Sequence, residues 1–77
     1  MDTDVLEYRL GLVERQIVDA ERHVTLRRDN LVRLEADDLG ASETANIARH
    51  RLRQIEEKLR RYNAERKHIQ AQLRRAA

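Results

Sequence analysis

Apolar residues recur at alternating intervals of three and four along two stretches of this chain, and that spacing leaves it few folds to adopt. Thr3, Leu6, Leu10, Val13, Ile17, Ala20, Val24, Arg27, Leu31 and Leu34 form one run; Ala45, Ala48, Leu52, Ile55, Leu59, Tyr62, Arg66, Ile69, Leu73 and Ala76 form the other. In each, the a and d positions of a heptad fall along one edge of an α-helix. Folding the chain back near Gly40 sets a positions against d positions in pairs whose residue numbers always total 79, from Leu34 with Ala45 through Val24 with Ile55 to Thr3 with Ala76. A constant total keeps the two edges in register from end to end. The spacing predicts an all-α fold, an antiparallel two-helix coiled-coil hairpin that dimerises into a four-helix bundle.

Length and composition agree with one small rod. The 77 residues suffice for a single domain, residues 1–77, and 39% of them are charged, with two Gly and no Pro, Trp, Phe or Cys. That mixture matches a coiled coil better than an ordinary globule and supplies no residues for building a cofactor pocket. Without Cys there is neither a disulfide framework nor a thiolate zinc site. No apolar run reaches bilayer-spanning length, and Met1-Asp2-Thr3-Asp4 is acidic where a signal peptide begins basic, so a soluble, cytoplasmic protein without membrane partners is expected.

The net charge of +2 hides a division between the arms. Residues 2–38 hold ten acids and six Arg, whereas residues 49–75 hold ten Lys or Arg and three Glu. An acidic arm opposite a basic one favours this pairing, at modest energy because exposed charges are screened. The seam itself carries Arg27 opposite Leu52 and Arg66 opposite Val13; each can lay its stem on the seam while the head reaches water or an acid such as Glu56 or Glu14.

The first helix is expected at about residues 4–38, beginning at Asp2, Thr3 or Asp4, with Asp4 and Glu7 spaced as a capping box. A turn over 39–42 follows, in which Gly40 suits the left-handed position after a helix and Ser42 suits the N-cap of a second helix at about 43–74.

Two surfaces stand out beside the seam. Val5, Leu12, Val18, Leu26 and Val32 occupy b and c positions of the first helix, near Gly11, which costs about 1 kcal/mol in a helix interior unless something packs close to it. A lone two-helix rod is marginal in stability, so this set is expected to bury itself against a second copy. On the second helix, Arg53, Arg60, Lys67 and Arg74 at b, with Arg61, His68 and Arg75 at c, make a basic strip about 33 Å long. Its cations (Arg53, Arg60, Arg61, Lys67, Arg74, Arg75) could meet an anionic partner, an acidic protein surface or nucleic-acid phosphates. The absence of aromatic residues from that face, and of any recognition module, argues against nucleic acid as the favoured partner.

Catalytic and metal chemistry find no constellation. His23, His50 and His68 fall at g, f and c, well separated in the 79 register, and Asp37-Asp38 and Glu56-Glu57 are sequence neighbours that do not share a helix face. Ser42 has no base beside it and the glycines make no phosphate loop. No enzyme, metal or cofactor is expected.

The stretch Ala20-Glu21-Arg22-His23-Val24, then Arg27-Arg28, then Leu31-Val32-Arg33-Leu34-Glu35, with a short polar turn and an alanine-led second helix, resembles a group of short uncharacterised bacterial helical-hairpin proteins over roughly residues 18–73. The resemblance implies the same hairpin form and carries no activity or binding residues. Three functions compete on the sequence: a self-associating protein interaction module, a nucleic-acid-associated accessory protein using the basic strip, and a structural spacer.

Overall fold

The computed structural model describes residues 3–37 and 40–76 and consists of two helices, α1 (Thr3–Ala36) and α2 (Glu43–Ala76), 34 residues each. They pack side by side as an all-α hairpin measuring 57 × 14 × 13 Å. Its radius of gyration is 17.2 Å, whereas a compact domain of this length would have one of about 11 to 12 Å. Length here follows from helix rise, since about 34 residues at 1.5 Å give roughly 50 Å.

Burial follows the heptad. The ten seam positions of α1 are buried or half-buried, and every other described residue of that helix is exposed. Val13, Ile17, Ala20 and Val24 form the driest stretch of α1, and on α2 Ile69 and Ala45 are fully buried. All ten seam positions of α2 are likewise covered, as are Arg49, Glu56, Asn63, Ala71 and Gln72. Removing these edges from water drives the pairing.

The helix ends differ from expectation for electrostatic reasons. Thr3 is already helical, so Asp4 sits in the first turn, where a negative charge suits the dipole, rather than at the cap. Regular helix stops at Ala36; the Asp37 amide makes one more bond, 3.1 Å to the Arg33 carbonyl, and an acid there opposes the helix dipole. At the far end Arg74 and Arg75 complement the dipole, and α2 continues to Ala76 rather than stopping at 74. The candidate start at Asp2, the expected last residue of the first helix, Asp38, and Leu39 of the expected turn lie outside the described residues.

Ser42 caps α2 as its side chain suggests. Its Oγ accepts from the Ala45 amide at 3.1 Å and its carbonyl accepts from Asn46 at 3.1 Å. Gly40 departs from expectation, because its backbone does not occupy the left-handed region. Arg49 holds the turn instead. Its guanidinium donates to the Gly40 carbonyl and to Asn46 Oδ1 at 3.0 Å, and lies 3.9 Å from the Glu35 carboxylate. No helix of the described residues is long and apolar enough to cross a membrane.

Candidate interaction surfaces

With the seam closed, each helix keeps two flanks and an outer face. The e positions of the two helices share one flank and the g positions share the other, which follows from antiparallel pairing. Residues facing across the e flank have numbers that total 84, and those facing across the g flank total 74. The ion pairs obey both rules. Arg28 meets Glu56 at 2.9 Å and Glu35 meets Arg49 at 3.9 Å on the first flank, and Arg9 lies 3.7 Å from Glu65 on the second. Exposed pairs of this kind contribute about 0 to 1 kcal/mol each, so they select register more than they hold the rod together.

This geometry also places the two seam arginines. Arg27 and Arg66 are half-buried, with their stems on the seam. The carboxylate of Glu56, a candidate partner for Arg27, is taken by Arg28, because both lie on the e flank. Arg27 leans to the other side and lines a groove over Ile55 with Arg51, Lys58, Arg61 and one acid, Glu57.

The off-seam apolar residues of α1 are all in solvent: Val5 is 56% exposed, Leu12 43%, Val18 48%, Leu26 66% and Val32 65%. Tyr8, 69% exposed, belongs with them although the b and c reading passes it over, being an f residue between Val5 and Leu12. Ile47, 45% exposed, is a c residue of α2 that lies apart from this set, beside Arg27, Thr44 and Arg51. The 3-4 spacing of residues 5, 8 and 12 was the signal for Tyr8. Val18 and Leu26 join into one shallow, mostly apolar depression with Thr25 and the stem of Arg22. Apart from its chain neighbours and the backbone of its own helical turns, Gly11 has no atom within 4 Å of where a Cβ would stand, so no side chain of α2 packs close to it.

On α2 the strip residues Arg53, Arg60, Arg61, Lys67, His68, Arg74 and Arg75 are all exposed. None of them takes part in the ion pairs among the described residues. His23 and His50 are exposed as well, and among the described residues no three His, Cys, Asp or Glu side chains converge as metal ligands would. The chain matches no protein-family model, no curated protein and no solved structure.

Proposed function

We propose that this protein is a non-enzymatic interaction module, a helical hairpin that self-associates through the outer side of α1 and leaves its other faces for a protein partner. One observation carries the reading: Val5, Leu12, Val18, Leu26 and Val32 stand 43–66% exposed along a single helix. Scattered apolar residues are ordinary on protein surfaces, but a recurring set on a rod with so thin a core is a site for burial. A second copy is the simplest cover, since a two-fold axis lets one surface satisfy itself and yields a four-helix assembly.

Light scattering across a range of concentrations tests this. The parent chain should pass from dimer to monomer on dilution, and Leu12→Glu combined with Leu26→Glu should give a monomer whose helix content by circular dichroism is unchanged. A parent that stays monomeric and folded at every concentration overturns the proposal.

The unpaired cations of α2 support a second reading, contact with an anionic partner through Arg53, Arg60, Arg61, Lys67, Arg74 and Arg75. An acidic protein surface suits the strip better than nucleic acid, because no aromatic side chain is interleaved for stacking. Binding to random duplex DNA separates the two. Retained binding at low salt that falls steeply as salt rises, and weakens in Arg60→Ala with Lys67→Ala, would favour nucleic acid; no binding at low salt would remove it.

A further inference from the structure

Resting on the self-association just proposed, we infer that two copies meet along a second, outer seam of α1, in antiparallel orientation, with facing residue numbers that total 34. Val5, Tyr8, Leu12, Arg15, Asp19, Arg22, Leu26 and Asp29 repeat the 3-4 spacing on the c and f positions, opposite the hairpin seam, and all eight are exposed. Arg15, Asp19, Arg22 and Asp29 have no ion pair among the described residues. An outer edge with coiled-coil spacing, large apolar groups and unpaired charges of both signs has the makings of an interface.

Charge and size select the partner and its register. Parallel copies would set Arg15 on Arg15 and Arg22 on Arg22, like charges face to face. Antiparallel copies can slide by whole heptads, giving totals of 20, 27, 34, 41 or 48. At 48, Asp19 meets Asp29 and Arg15 meets Arg33. At 27, no two large apolar residues meet and no opposite charges do. At 20, Tyr8 meets Leu12, but the charged half of the seam has no counterpart. At 41, Asp19 meets Arg22, while Tyr8 faces Arg33 and Leu12 faces Asp29. At 34, Val5 falls opposite Asp29, yet only there do large apolar residues face each other and opposite charges pair at once: Tyr8 packs on Leu26, Arg15 meets Asp19, and the Arg22 stem covers Leu12. Each contact occurs twice about the two-fold axis. The helices then lie in the order α2, α1, α1 of the partner, α2 of the partner, with both basic strips outermost.

The natural absence of Cys makes register readable by cross-linking. A Tyr8→Cys chain mixed with a Leu26→Cys chain and mildly oxidised should give predominantly the mixed disulfide. Predominance of the two homodisulfides, or no cross-link although the chains associate, overturns the register while leaving self-association standing; a chain that never associates removes both. Charge provides the second measurement. Arg15→Asp alone and Asp19→Arg alone should each associate roughly tenfold more weakly than the parent, since each converts two attractions to repulsions. Mixing these two variants should restore parental affinity, because every facing pair becomes acid on base. Both lie on the exposed side of α1, so circular dichroism should show the hairpin intact. A mixture no tighter than either variant counts against the pairing.

Discussion

Ile69 and Gly11 mark the two extremes of what one side chain does for this rod. Ile69 is fully buried opposite Leu10, and Ile69→Ala should cost about 2 to 5 kcal/mol, read as a fall in the denaturation midpoint. Gly11 leaves room for a methyl group and sits inside a helix, so Gly11→Ala should stabilise by about 1 kcal/mol, worth roughly 4 to 8 °C in melting temperature. At c and f total 34, Gly11 lies beside the outer seam rather than on it, and that gain should come without loss of association. Residue identities at this scale were legible where heptad position decides burial, as at Val13 and Ile17. They were not legible where a long side chain chooses between flanks. Arg27 and Arg28 are adjacent in sequence, yet one takes Glu56 and the other faces a cationic groove, a choice set by a rotation of about 100° between neighbours on the helix.

The helices as elements are held at their ends by a few polar groups. Ser42 supplies the cap of α2, and Ser42→Ala should lower stability by about 1 kcal/mol, with the loss seen as fraying of the first turn of α2 by amide hydrogen exchange. Gly40→Ala is the contrasting case. Its backbone needs no left-handed conformation, and an added Cβ would stand 3.4 Å from the nearest atom, Glu35 Cγ, which is ordinary contact. The exchange should leave stability unchanged or raise it by about 0.4 to 1 kcal/mol through the unfolded chain. The cap was readable because Ser at that position has one local use. The sequence places the end of α1 two residues late and that of α2 two residues early, because terminal charge, adverse at Asp37 and favourable at Arg74 and Arg75, shifts both ends.

For the whole molecule, stability should depend on protein concentration. If the outer side of α1 is covered by a second copy, dilution should lower the melting temperature, whereas Leu12→Glu with Leu26→Glu should melt at one temperature irrespective of concentration. The hairpin was legible because a single constant, the total of 79, satisfied twenty positions at once, and every one of them is covered. The outer surface was only partly so: its b and c residues stood out, while Tyr8 went unread for lying on the f line among Arg15, Arg22 and Asp29. Antiparallel pairing also puts Thr3 and Ala76 at the same pole of the rod, with the turn at the other. A tether pulled between Thr3 and the turn would carry its load along α1 itself and leave the rungs almost unloaded. Tension between the chain ends would act crosswise and open the arms like a zipper, one rung after another, so the same fold should yield at far lower force when held by its ends.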